Sequence, residues 1–164
     1  MKLSPAVLRS LAAMMEHDLD AIARLDSVLQ NLVPALSSGA DYRDLATTGY
    51  ALHNLYNAFE NSFDQISRTF ENHVVDQAQW HRELLDKMFL TIPEVRPPVL
   101  SDNLRKLMQE LRGFRHLFRH GYDFELDRAR LLSLIEQWNT AKTRAIEALR
   151  AFIAYLRAEA QQVE

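Results

Sequence analysis

Residues 42–72, YRDLATTGYALHNLYNAFENSFDQISRTFEN, decide the fold. Leu45, Leu52, Phe59 and Ile66 recur every seven residues, and Tyr56, Phe63 and Phe70 run beside them. This is helical spacing with an apolar stripe too wide for one partner. A helix over Tyr42 to Asn72 therefore belongs at the centre of the molecule, packed against more than one neighbour. The preceding segment supplies the first of them. Ser4 is placed to cap a helix running to about Val33, with Pro5 at the first helical position, where a missing N–H costs nothing. Leu8, Met15, Ile22 and Leu29 mark its stripe, and Leu11, Leu25 and Leu32 come three places after, the series being broken only at Asp18. Ser37 to Asp41 reads as a turn that ends in the next N-cap.

Beyond the central segment, a shorter helix from about Gln77 to Leu90 directs Trp80, Leu84, Leu85 and Met88 inward, and Pro93, Pro97 and Pro98 make the next segment a linker. Ser101 or Asp102 caps a fourth helix whose buried face is Leu104, Leu107, Met108, Leu111, Phe114, Leu117 and Phe118, up to a stop at Gly121. Asp127 opens a fifth, with Leu131, Leu134, Ile135, Trp138, Ala145, Leu149, Phe152 and Leu156 on its stripe. No stretch alternates as a strand does, and there is no internal repeat or glycine-rich phosphate loop. The expected fold is all-α, an antiparallel up-and-down bundle of about five helices forming a single domain over residues 1–164.

Composition narrows the function. With 48% hydrophobic and 25% charged residues the 164-residue chain can bury a core without staples. It contains no cysteine, which removes disulfides, thiol catalysis and thiolate metal sites and agrees with a reducing compartment. The N-terminal stretch is interrupted by Arg9, Glu16 and Asp18, unlike a signal peptide, and no segment approaches the roughly 20 apolar residues needed to span a bilayer. A cytoplasmic location without membrane association is expected. A formal net charge of −3 argues against non-specific coating of nucleic acid. The stretch from Ser101 to His120 inverts that sign locally, with five Lys or Arg against two acids, plus His116 and His120.

The chemistry concentrates in Arg115-His116-Leu117-Phe118-Arg119-His120-Gly121-Tyr122. An arginine grips a phosphate with its planar fork, and a histidine changes charge near neutral pH, a pair suited to phosphodiester cleavage. In RNA cleavage without metal the histidine takes the proton of the ribose 2′-OH, the arginine stabilises charge on phosphorus, and a 2′,3′-cyclic phosphate results; DNA lacks the nucleophile. Arg115 and His120 point about 140° apart on an ideal helix. They converge if the helix breaks at Gly121, or if two copies meet about a twofold axis and form a composite site. The same residues also read as a solvated basic helix end, with Gly121 a left-handed cap and Tyr122 packed on the last turn. His116 and His120 have a zinc-compatible spacing, but no glutamate lies between them, so no metal is expected. His53, His73 and His81 read as core or surface residues. Glu60 and Asp64 share a face of the second helix, available to Arg115 or Arg119 or simply solvated.

Arg115, four residues, His120, one residue, Tyr122 is an R-x4-H-x-Y pattern, and it resembles the HEPN superfamily, most closely the HepT-like toxins of two-gene toxin–antitoxin systems. His116 is similar to the polar residue often found after that arginine, and Leu55-Tyr56-Asn57-Ala58-Phe59-Glu60 resembles the second-helix segment that ends in an acid. The likeness covers about Tyr42 to Trp138, with the end helices matched only in kind. It implies a metal-independent endoribonuclease that uses no cofactor and acts as a homodimer. In that reading Arg115 and His120 of both chains are catalytic, His116 and Arg119 bind the RNA substrate, and Glu60 is a supporting acid. It also implies a minimal nucleotidyltransferase antitoxin that transfers AMP to Tyr122. The long first helix and the separate third helix with its proline-rich linker depart from the smallest members. A non-catalytic helical partner or substrate-binding subunit of a nucleotidyltransferase, or an interaction scaffold, are the competing readings.

Overall fold

The computed structural model describes residues 3–39, 41–72, 79–121 and 125–162. Among them the chain forms five α-helices: α1 (Pro5–Ser38), α2 (Tyr42–Glu71), α3 (Trp80–Met88), α4 (Arg105–His120) and α5 (Arg128–Gln162), with a 3-10 turn over Asp102–Leu104 leading into α4. Extended pairing among the described residues is confined to a bridge between Ile92 and Arg96. The fold is an all-α bundle, as the apolar periodicity requires. No helix among the described residues is long and apolar enough to cross a membrane.

The central position of α2 follows from its wide stripe. It packs against α1, α3, α4 and α5, and Leu52, Tyr56, Phe59, Phe63 and Ile66 are wholly buried. Buried side chains of all five helices merge into one hydrophobic cluster. Phe59 meets the Trp138 ring edge-on at 6.0 Å between centroids, which joins α2 to α5. Both caps at the start of the bundle are where the sequence puts them. The Ser4 hydroxyl accepts from the Val7 N–H, and Asp41 and Asp44 exchange side-chain to backbone hydrogen bonds in a capping box.

The first helix does not end at Val33. It runs through Pro34 to Ser38, because Leu36 continues the seven-residue series from Leu29 and is fully buried. The interior proline removes one helical N–H. Carbonyls beyond it are met from outside the ladder, Pro34 by the Ser38 hydroxyl at 2.9 Å and Leu36 by Arg128 of α5 at 3.3 Å. Ser37 and Ser38 thus belong to the helix rather than the turn, which begins at Gly39, held at φ 105°; Ala40 lies outside the described residues.

Asp18, the gap in the first stripe, is itself buried. Its carboxylate accepts from the Asn61 amide at 3.0 Å and the Ser62 hydroxyl at 2.7 Å, so it pins α1 to α2. Asp26 does the same toward α5. Burial alone would raise its carboxyl, but hydrogen bonds from Trp138, Gln30 and Lys142 outweigh that and hold it below the usual aspartate range.

The third helix is shorter than its apolar pattern implies, ending at Met88 rather than Leu90. The Met88 carbonyl accepts from both Val99 and Leu100, so the chain doubles back on the helix end. Leu84, Leu85 and Met88 are buried and Trp80 is half-buried; Gln77 and Ala78 lie outside the described residues. The proline-rich segment is no loose linker. The Arg96 side chain is wholly buried, donating to Glu71 on α2 and to the carbonyls of Lys87, Leu90 and Pro97. Lys87 adds a second cation on Glu71 at 2.9 Å.

Burial would raise the Glu71 carboxyl, but Lys87 and Arg96 lower it below its ordinary value of 4.5. A depressed carboxylate contributes stability that is complete above the ordinary value and is lost as pH falls through the native one. Urea titrations should therefore show stability declining below about pH 4.5, and Glu71→Gln should flatten that decline. Arg96→Met, which leaves Glu71 with Lys87 alone and removes the donor to three backbone carbonyls, is expected to cost about 3 kcal/mol at neutral pH.

Candidate active site

On a helical wheel the buried residues of α4, Leu107, Met108, Leu111 and Phe114 with the half-buried Phe118, occupy one arc, and Arg115 falls inside it. A guanidinium is therefore carried into the seam between α4 and α2. Leu117, expected in the core, lies about 60° outside the arc and is 38% exposed. Gly121 ends the helix without a left-handed turn, at φ −87°, so neither the αL cap nor a break that swings His120 round is present. His120 completes the last turn of α4 in regular geometry.

The sequence of α2 is built to receive Arg115. His53, Asn57 and Glu60 fall at spacings of four and three, a polar stripe beside the buried Leu52, Tyr56 and Phe59. Arg115 Nε donates to Asn57 Oδ1, and Nη2 faces Glu60 Oε1 at 3.3 Å. Nη1 carries no hydrogen bond to any described residue. Residue exposure is 8% for Arg115 and 5% for Glu60, so each needs the other to offset its desolvation. Asp64, the other acid on that face, pairs with Arg68 instead.

Glu60 serves a second partner. Its Oε2 lies 2.8 Å from Nδ1 of His81, the second residue of α3. On the other side, because Arg115 claims the Asn57 oxygen, the Asn57 amide nitrogen is the atom that meets His53 Nδ1 at 3.2 Å, which fixes that ring as the Nε2–H tautomer. Burial first, then the charges of Arg115 and Arg119, hold the His53 imidazole below its usual range and so neutral at pH 7. His53 and His81 read from the sequence as core or surface residues, and Asn57 only as part of the second-helix segment; none was expected at the site. His53 and Asn57 carry a signal, the polar stripe; His81 carries none, since 21 positions separate it from Glu60.

A cleft of about 610 Å³ opens over this network. Arg82, Arg112 and Arg115 line it with His81, His116 and His120, and no carboxylate of the described residues borders it. Gly113 contributes no side chain to its wall, and even a Cβ there would meet nothing within 4 Å. Arg115 and His120 thus border one cavity within one chain, despite pointing to different sides of α4. The rings of His116 and His120 are 4.9 Å apart, one turn from each other; among the described residues no group of three His, Cys, Asp or Glu is arranged to hold a metal ion. Arg119 is exposed and lies off the cleft, on the side of His53. Tyr122 falls outside the described residues.

The end of α4 is set by Gly49. A Cβ at that position would stand 2.8 Å from the Phe118 ring and 3.2 Å from Leu126. Glycine inside a helix costs roughly 1 kcal/mol relative to alanine, and here the cost admits Phe118, which also meets His53 edge-on and Phe114 face to face.

A helical bundle with a cleft lined by arginine and histidine at the end of its penultimate helix, backed by a buried arginine–carboxylate pair, is the class of protein that these features define. A family model described as HepT-like protein matches residues 47–156. The chain belongs to this HepT-like family of the HEPN superfamily, which is generally one of nucleases. The match starts within α2 and reaches past Trp138 to Leu156 in α5. No curated protein and no solved structure matches the chain.

The His53 environment offers a direct check on this geometry. Its ring resonances should titrate below the ordinary histidine value of 6.5, and Arg119→Ala should move the midpoint upward by removing a nearby cation. An unmoved midpoint would contradict the placement of Arg119 beside His53.

Proposed function

We propose that this chain is a metal-independent endoribonuclease acting as a toxin, in which Arg115 and His120 of two protomers form composite RNA-cleaving sites. The observation that carries the reading is the cleft at the end of α4, lined by three arginines and three histidines and, among the described residues, by no acid, in a HepT-like chain. His120 accepts the 2′-hydroxyl proton, the 2′-oxygen attacks phosphorus, and the P–O5′ bond breaks to leave a 2′,3′-cyclic phosphate. Arg115 offers Nη1 to the phosphoryl oxygens while Asn57 and Glu60 keep its fork from turning. His116 holds the same phosphate from the cleft wall, and Arg119 holds the next one along the strand.

Leu117 supports the composite arrangement. It is the large apolar residue between His116 and His120 that a single chain leaves in solvent, and a second copy of the chain is the proposed occupant. A minimal nucleotidyltransferase partner would neutralise the toxin by transferring AMP to Tyr122, two residues past His120, adding phosphate where RNA must bind.

Arg115→Ala and His120→Ala should each lower RNA cleavage by about 100-fold or more, with DNA of the same sequence resistant to the parent. Variants as nucleolytic as the parent, or a pure parent that leaves RNA intact, would favour a non-catalytic partner of the transferase. Leu117→Glu is expected to shift the sedimentation of the protein from dimer toward monomer and to reduce cleavage with it.

A further inference from the structure

We propose that His81 is a second catalytic histidine of this cleft, the general acid that protonates the leaving 5′-oxygen, and that Glu60 positions it. The inference rests on the ribonuclease reading above and adds the group that reading lacks. Transesterification needs two proton transfers. His120 removes the proton from the 2′-oxygen, and the 5′-oxygen must receive one as its bond to phosphorus breaks, since an alkoxide is a poor leaving group in water.

Three observations single out His81 for the second transfer. Its ring lines the same cleft as Arg115 and His120 but from the opposite wall, on α3 instead of α4. Its Nδ1 lies 2.8 Å from Glu60 Oε2, a carboxylate–imidazole pair that fixes the ring orientation and leaves Nε2 as the nitrogen available to a ligand. And the two walls are joined by that one carboxylate. Glu60 is buried, and its other oxygen faces Arg115, so the guanidinium that meets the phosphate and the imidazole that meets the leaving group are held to a common reference. Neither His116 nor Arg112, which share the wall of His120, has such an orienting acid among the described residues.

The step balances without a further reactant. His120 gains the 2′-proton and the O2′–P bond forms; the P–O5′ bond breaks and the 5′-oxygen takes the proton carried by His81 Nε2. His120 is then protonated and His81 neutral, and exchange with water restores both. The cleft volume of about 610 Å³ falls within the range of small-ligand sites and accommodates a nucleotide spanning the two walls.

A change of leaving group tests the assignment. Purified parent, His81→Ala and His120→Ala proteins would be assayed on an RNA oligonucleotide and on a nucleoside 3′-(p-nitrophenyl phosphate), whose phenolate departs without a proton. His81→Ala should lose about 100-fold on RNA, mainly in kcat, and stay within about fivefold of the parent on the nitrophenyl ester, whereas His120→Ala should fail on both. Glu60→Gln should show the same substrate split in milder form. RNA cleavage retained within about threefold in His81→Ala would overturn the proposal, as would equal losses on both substrates, the mark of a merely structural role. The His81 side chain is 39% exposed, so the variant should keep the parent's unfolding midpoint; if it does not, His81→Gln provides the same comparison. A parent inactive on both substrates would instead sink the ribonuclease reading itself.

Discussion

A guanidinium set among leucines and phenylalanines cannot stay there alone, and the pairing of Arg115 with Glu60 and Asn57 is the constraint on which the rest of this molecule's site depends. It dictates that α2 carry His53, Asn57 and Glu60 on the side turned to α4, while Leu52, Phe59, Phe63 and Ile66 are buried in the core. It holds α4 at hydrogen-bonding distance along its last two turns, where His116 and His120 project outward. Through the second oxygen of Glu60 it also recruits α3, so one buried carboxylate fixes two helices relative to a third.

The same device recurs elsewhere. Asp18 joins α1 to α2, Asp26 joins α1 to α5, and Glu71 joins α2 to the segment after α3. Leucine stripes tolerate sliding by a turn with modest loss, because one methyl resembles another. A carboxylate that must meet an indole N–H or a serine hydroxyl at about 2.8 Å does not. Apolar area drives the helices together, and these few polar contacts decide the register in which they stop.

Most of the fold was legible because it rests on periodicity. The heptads of residues 8–29 and 45–66, the caps at Ser4 and Asp41 and the stripe of α5 all stand as the sequence implies. The departures share a cause, which is that a local rule was overruled by packing. The first helix was expected to end near Val33, but Leu36 had a buried place to fill; Gly121 read as a left-handed cap, but the helix simply stops. For the site, Arg115, His116, His120 and Glu60 were readable as types at helical spacing. That Arg115 points inward was also readable, from its angle to Leu111 and Phe114 rather than to His120. His81 was not, because its link to Glu60 closes only when α3 folds back across α2, and no spacing along the chain encodes that.

Gly49 shows how such a site is dimensioned from behind. The gap between α2 and the end of α4 is the thickness of one phenylalanine ring laid against bare backbone. Any larger residue at position 49 acts as a shim against the Phe118 ring, which the last turn of α4 carries two residues before His120. The spacing between α2 and the end of α4 is thus set at a position that does not itself line the cleft.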